Sequence, residues 1–359
     1  MAKDILSDLK KLSGNEYAFL MTEDDNPYKV KGWVDTGCYL LNAALSDGDL
    51  TKGLPLGKRI VISGEPSVAK SLFTMYIIKA YLNQVPDAKV IFFESEGSSV
   101  LEMAESLSLP KDNFLILPVG DVTDFNHQAT KILNKIKEMR KGKSQEDAPK
   151  FIMCLDSLSM MHSKREYKNA LDGNEAKDMS KAGDIRSVFR NITLDLSLTQ
   201  TPLIVTNHVY DNIGGYGNQK IQSGGKGISY AGDVILVLTK AKEKDGNSRV
   251  GSQITVNISK SRFQREDTKY KIILLFSKGV YKYSGLLEYA LEFNIWKKEG
   301  HSILINDEKV KRKTILKSPE QYFTDDVINQ INEKLKCEVG FGDNGEDFFG
   351  EDDDENDDQ

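Results

Sequence analysis

The chain has 359 residues, 39% hydrophobic and 28% charged, enough apolar side chain for a sizeable core in one large or about two domains. No apolar run approaches the roughly 18 residues of a membrane helix, the first ten residues are charged where a secretory signal is apolar, and Cys38, Cys154 and Cys337 lack metal-ligand spacing. These features argue against membrane-spanning, secreted and zinc-ribbon classes, while the net charge of −6 conceals ten acidic side chains in residues 343–359 and a remaining body of +4.

In chain order, Ile5, Leu6, Leu9 and Leu12 recur at helical spacing among charges, predicting a short amphipathic helix over 1–13. A helix of that length is marginal alone and is expected to dock on its own domain or on a neighbouring subunit. Residues 14–30 are polar and hold the turn signal Asp25-Asn26-Pro27. From residue 31 apolar runs alternate with helical stretches. Strands are predicted at 59–63, 89–93, 114–117, 151–155, 203–206, 234–238, 253–259 and 270–276, and helices at 71–82, 124–140 and 184–198. This order implies an α/β fold, a largely parallel sheet covered on both faces, with the last three strands extending it antiparallel. A helix is expected over 285–293. The predicted organisation is an N-terminal helix and linker (1–30), an α/β core (31–296), a small charged α/β appendage (297–342) and a disordered acidic tail (343–359). The tail reads either as a solubiliser or as an internal competitor for a basic surface, and Phe348 and Phe349 lean slightly towards docking.

The chemistry gathers after these strands. Gly64-Glu65-Pro66-Ser67-Val68-Ala69-Lys70-Ser71 follows the first core strand and opens the helix that continues with Leu72. This is the phosphate-binding P-loop pattern with Ala69 in place of its second glycine. Backbone N–H groups at such a helix start converge on phosphate oxygens. Lys70 then reaches the β- and γ-phosphates, and Ser71 ligates Mg²⁺. A Cβ at Ala69 is expected to crowd the phosphate or strain the loop. The run 151–155 ends in Asp156, a second candidate metal ligand, and 91–93 ends in Glu94 and Glu96; Glu96 reads either as a group that polarises an attacking water or as a solvated loop acid, and spacing alone does not choose between them. After Asn207-His208, residues 209–227 show no apolar period. They combine six glycines (Gly214, Gly215, Gly217, Gly224, Gly225, Gly227) with Tyr210, Tyr216, Lys220 and Lys226, the makings of a loop that stacks bases and neutralises phosphates of single-stranded nucleic acid. Lys164, Arg165, Tyr167 and Lys168 form a second basic stretch on the same sheet edge, a pattern that taken alone is more often a solvated surface.

Together these residues resemble the RecA-type recombinases, most closely the phage-encoded UvsX branch, over about residues 31–295. The motifs that carry the resemblance are Asp35-Thr36-Gly37, 64–71, 93–96, 155–158, 206–208, 224–227, Lys260-Ser261-Arg262 and 283–287, all in the family's order. The resemblance implies a RecA-like P-loop ATPase with ATP and Mg²⁺. Glu96 would activate the hydrolytic water, and His208 would stand where bacterial RecA has a γ-phosphate-sensing glutamine. Lys260 and Arg262 would reach the neighbouring subunit's ATP, and Tyr283 would pack near adenine or ribose. Met103 takes the place of a second aromatic there, which implies relaxed base selectivity. DNA-binding loops are implied near 160–184 and 209–230, with Arg186 and Arg190 beside the DNA backbone. The implied activity is a DNA-dependent ATPase that forms helical filaments on single-stranded DNA. It would exchange strands with homologous duplex in recombination, repair and recombination-dependent replication. Single-strand-binding and mediator proteins are implied partners, no membrane is involved, and the location is cytoplasmic, in an infected host if the gene is a phage's. Two rivals share part of the pattern. A hexameric RecA-fold helicase normally carries a larger N-terminal domain, and a non-hydrolysing paralogue is supported only by Ala69.

Overall fold

A computed structural model describes residues 2–23, 26–97, 100–174, 180–211, 220–223, 226–245 and 248–341. The chain opens with helix α1 (Ala2–Leu12), then strand β1 (Trp33–Val34), α2 (Tyr39–Leu45) and β2 (Leu54–Pro55), which pairs with β1. Next come β3 (Arg59–Gly64), α3 (Lys70–Gln84), β4 (Lys89–Glu94), α4 (Val100–Ser106), β5 (Phe114–Pro118), α5 (Val122–Arg140) and β6 (Phe151–Asp156). They are followed by α6 (Lys164–Leu171), α7 (Lys181–Thr199), β7 (Leu203–Asp211), β8 (Lys220–Gln222), α8 (Lys226–Ala231) and β9 (Val234–Asp245). The antiparallel part holds β10 (Ser248–Ser261), β11 (Lys269–Leu275) and β12 (Gly279–Val280), and leads into α9 (Leu286–Glu292). The last described elements are β13 (Lys297–Glu299), β14 (Ser302–Ile305), β15 (Glu308–Lys311), α10 (Arg312–Lys317) and α11 (Asp325–Val339).

The main sheet runs β12-β11-β10-β9-β3-β7-β6-β4-β5, with β8 paired to β7. The segment β9-β3-β7-β6-β4-β5 is parallel, and β10, β11 and β12 extend it antiparallel; of the three strands expected to be antiparallel, 253–259 and 270–276 are, whereas 234–238 lies in β9 and pairs parallel with β3. Alternation along each strand decides the layering. Ile60 and Ile62, Val90 and Phe92, Ile152 and Cys154 face one side, packed by α2, α3, α4, α9 and α11. Val61, Ile91, Phe93, Met153 and Leu155 face the other, packed by α5 and α7. Each such aliphatic side chain, when fully buried, contributes about 1.5–3 kcal/mol relative to exposure. The segment after α9 shares the first of these cores through Ile303, Ile315, Ile331 and Leu335. It is latched by Asn332, whose side-chain oxygen accepts the Leu50 N–H at 2.7 Å.

Two further expectations are corrected. The basic stretch at 164–168 is helical. Ser163 and Glu166 close a reciprocal capping box in which the Ser163 hydroxyl accepts the Glu166 N–H and the Glu166 carboxylate accepts the Ser163 N–H, which loop reasoning did not credit. The stretch after His208 is not aperiodic throughout. β7 runs on to Asp211 and pairs antiparallel with β8, so backbone hydrogen bonds stiffen the loop's base where side chains give no signal.

One buried ion pair ties the sheet at its amino edge. Asp233, which precedes β9, accepts from the Arg59 backbone N–H at 3.0 Å, from Arg59 Nε at 3.0 Å and from Nη2 at 2.9 Å. Burial raises the Asp233 carboxyl, but the Arg59 hydrogen bonds and charge outweigh it and hold it below the usual range. A depressed carboxyl contributes stability above its unfolded pKa of about 3.9 and loses it only as pH falls through the lower folded value. Asp233→Ala leaves Arg59 buried and unpaired, at a cost of about 3–5 kcal/mol. Thermal melting at pH 7 reads this, and a loss under about 1 kcal/mol would refute it.

Candidate nucleotide-binding site and nucleic-acid interface

The P-loop begins where β3 ends. A Cβ on Gly64 would meet Val68 Cγ2 at 2.6 Å and the Leu238 carbonyl oxygen at 3.0 Å, so only glycine fits. Ser67 and Ala69 take left-handed backbones, with φ of 63° and 78°. For a residue with a Cβ that region costs about 1–2 kcal/mol, so the expected strain at Ala69 is present. Glu65, Pro66, Ser67 and Val68 complete the loop, and α3 starts at Lys70, with Ser71 and Leu72 in its first turn. The first N–H groups of α3 have no intrahelical partner and converge where a phosphate binds.

Strand register assembles the rest of the site. Gly64 lies opposite His208 across β3 and β7, and Glu94 opposite Asp156 across β4 and β6. Lys70 Nζ donates to Gly64 O at 3.2 Å and Glu65 O at 3.0 Å, and it lies 3.3 Å from His208 Nδ1. An ammonium only donates, so Nδ1 takes the acceptor role in that contact, and the other ring nitrogen, Nε2, lies 3.1 Å from Glu96 Oε1. A phosphate entering the loop competes for the Lys70 hydrogens and thereby reaches His208 and Glu96. Burial holds the Lys70 ammonium below its ordinary pKa, against the charges of Glu96 and Asp156. Burial raises Glu96, but hydrogen bonds from Ser157 and His208 outweigh it, so its carboxyl sits below the usual range. Glu94 accepts the Glu96 N–H at 2.7 Å and fixes the backbone from which Glu96 projects.

Asp156 is 2% exposed, and the Thr206 hydroxyl donates to its Oδ1. Burial pushes its carboxyl up, opposed by hydrogen bonds from Thr206 and Ser71. The Ser71 hydroxyl and the Asp156 carboxylate are thus two hard oxygens in contact. That donor set suits Mg²⁺, which keeps one or two protein ligands and takes the rest from water and phosphate.

At the opposite edge of the sheet a cleft of about 660 Å³ is lined by Arg59, Arg186, Phe189, Arg190, Tyr230 and Arg262. Arg262 Nε donates to Asp233 at 2.8 Å while 60% of its side chain stays exposed. Lys260 Nζ donates to Gly232 O at 3.1 Å, and burial, with the Arg262 charge next, holds its pKa down. Arg59 begins β3 and Gly64 ends it, five steps of about 3.3 Å, so Arg262 lies on the order of 17 Å from its own P-loop.

A sequence model of the RecA N-terminal domain matches residues 2–281. The chain belongs to the RecA family. It is similar to the recombination and repair protein of Enterobacteria phage T4, 29% identical over 265 residues, which are 74% of this chain and 65% of that protein. The chain therefore spans just under two thirds of the T4 protein. It is also similar to the RecA protein of Mycoplasmopsis pulmonis, 26% identical over 93% of this chain and 95% of that one. A further relative is the RecA protein of Clavibacter michiganensis, 24% identical over 86% and 80%.

Other expected site residues of this RecA-family chain are spread more widely. Tyr283 packs edge-on against Tyr39 at 5.6 Å and stacks with Phe323 at 5.8 Å, and Met103 on α4 packs against the core on the α3 side. Lys164, Arg165 and Lys168 are exposed on α6, beside Tyr167, which stacks on His162. Tyr210 is exposed on β7. Lys220 and Lys226 are located by β8 and α8 alone, whereas Tyr216, five of the loop glycines and the acidic tail lie outside the described residues. Sequence reasoning missed Asp233 and Lys240, whose Nζ donates to Ser67 O at 2.7 Å, and gave Thr206 no role beyond its place in the 206–208 motif. Only register brings these three to their partners.

Burial disfavours the charge that a metal-binding Asp156 needs. Asp156→Asn keeps an oxygen for the Thr206 hydroxyl and removes that cost, so it should stabilise the fold by about 1 kcal/mol while abolishing Mg²⁺-dependent turnover. Melting and hydrolysis measured on the same preparation check the pair, and a lower melting temperature would contradict the burial argument.

Proposed function

We propose that this chain is an ATP-dependent DNA recombinase that polymerises on single-stranded DNA and promotes homologous pairing and strand exchange with duplex DNA. Lys70 and the loop amides bind and orient the phosphates, and Ser71 and Asp156 hold Mg²⁺, which when bound neutralises phosphate charge. Glu96, ionised at neutral pH because its pKa is held low, takes the proton of the attacking water. His208 joins Lys70 to Glu96, so that contact between Lys70 and phosphate alters the hold on the base. Lys164, Arg165, Lys168 and Tyr210 beyond the carboxyl edge, and Arg186 and Arg190 in the cleft with Arg262, are the described DNA contacts, with phosphate neutralisation by the cations and base stacking by the aromatic. No helix among the described residues is long and apolar enough to cross a membrane.

The observation that carries this reading is the separation of Arg262 from its own P-loop along β3. A cation held at that end by Asp233 serves a nucleotide only when a second copy brings its P-loop there. The apolar stripe of α1, with Ile5, Leu6, Leu9 and Leu12 all more than half exposed, supplies a contact to a neighbouring copy.

ATP hydrolysis with and without single-stranded DNA tests the reading, with Lys70→Ala as the blank. Strong DNA stimulation is expected, and Arg262→Ala should lower it by about 10³-fold while nucleotide binding persists. Mixing Lys70→Ala with Arg262→Ala should restore part of the turnover, since each supplies what the other lacks. No recovery would sink the trans assignment. Leu9→Glu with Leu12→Glu should abolish self-association in light scattering and leave nucleotide binding intact. Unchanged assembly would remove α1 from the interface.

A further inference from the structure

We propose that Lys240 is a positioning residue for nucleotide binding, holding the P-loop in its binding conformation from outside the loop; this rests on the P-loop reading above. Leu238 pairs with Gly64 in the parallel register of β9 and β3. Lys240 lies two residues further along β9, so its side chain leaves the same face and extends past the end of β3 over the loop. There its Nζ donates to the Ser67 carbonyl oxygen at 2.7 Å.

The loop needs such a hold. Ser67 and Ala69 both take left-handed backbones, with φ of 63° and 78°. Side chains with a Cβ persist there only where the surroundings over-determine the conformation. Two of the bonds that bind the loop to itself run from Lys70 Nζ to Gly64 O and Glu65 O. A phosphate draws the Lys70 hydrogens away, so these bonds weaken as the ligand arrives. The Lys240 bond does not depend on Lys70 and remains. A peptide unit is planar, with N–H and C=O pointing in opposite directions. Anchoring the Ser67 oxygen to Lys240 therefore turns the Val68 N–H away from Lys240. Loop amides of this kind receive the phosphate oxygens, so Lys240 sets the aim of one of them without touching the ligand.

Lys240→Met keeps the aliphatic stem and removes the donor. Equilibrium binding of a fluorescent ATP analogue with Mg²⁺ to the full chain should weaken about tenfold. KM for ATP in DNA-stimulated hydrolysis should rise in parallel, while kcat stays within about twofold and the melting temperature is unchanged. Lys240→Arg retains a donor and should bind like the unaltered chain. Adding Ala69→Gly to Lys240→Met should recover most of the lost affinity, because glycine takes a φ of 78° without outside support. The proposal is overturned if Lys240→Met binds nucleotide normally. It is equally overturned if the loss comes with a lower melting temperature and Ala69→Gly does not repair it, which would make Lys240 a general stabiliser. An unaltered chain that binds no nucleotide would remove the P-loop reading and this proposal with it. Normal binding by Lys240→Met removes this proposal alone.

Discussion

Everything functional in this chain depends on parallel pairing of β3 with its neighbours. Parallel strands send all their carboxyl ends to one edge, so the loops after β3, β4, β6 and β7 meet there. Register then selects which residues meet. Gly64 stands opposite His208 and Glu94 opposite Asp156. Shifting one strand by a single residue would exchange the side chains its two faces present to the two cores and break the packing of both. The two packed cores therefore enforce the register of the site.

The same geometry divides the labour between two ends of one strand. Lys70 and its partners occupy the carboxyl end of β3, while Arg59 at the amino end anchors Asp233, which in turn holds Arg262. Arg186 and Arg190 line the same cleft as Arg262. Residues whose implied partners differ, DNA phosphate for two of them and a neighbour's nucleotide for the third, thus share one cationic surface.

Electrostatics at the carboxyl edge are arranged against folding and in favour of binding. Burial raises the Asp156 carboxyl and lowers the Lys70 ammonium, so each group carries its charge at a cost. A divalent cation beside the first and a phosphate beside the second relieve that cost. Ala69 adds backbone strain at the same loop. Two local rules are broken at the proposed ligand site, by an alanine with positive φ and by charges turned inward, and a ligand site is a place where such violations are expected.

Much of this was legible in the amino-acid sequence. Apolar runs and helical periods determined the α/β class and the chain order of the motifs, because burial on both faces leaves a direct imprint on composition, whereas the direction of β9, expected antiparallel and found parallel to β3, was decided by the packed sheet. Local pattern also singled out the P-loop and Asp156, since phosphate and metal chemistry demand particular residue types at fixed short spacings, while Glu96 took its expected role from the resemblance rather than from spacing. The helix α6 and the β7–β8 pairing were not legible as such, because a capping box and a backbone ladder beside a glycine-rich stretch leave little trace in hydrophobic period. Only the tertiary structure decided that Lys240 holds Ser67, that Thr206 donates to Asp156 and that Asp233 joins Arg59 to Arg262. The partners in those contacts lie 173, 50 and, for Arg59 and Asp233, 174 residues apart. Strand register brings such distant residues together, and register is a property of the whole packed sheet that no local window of sequence contains.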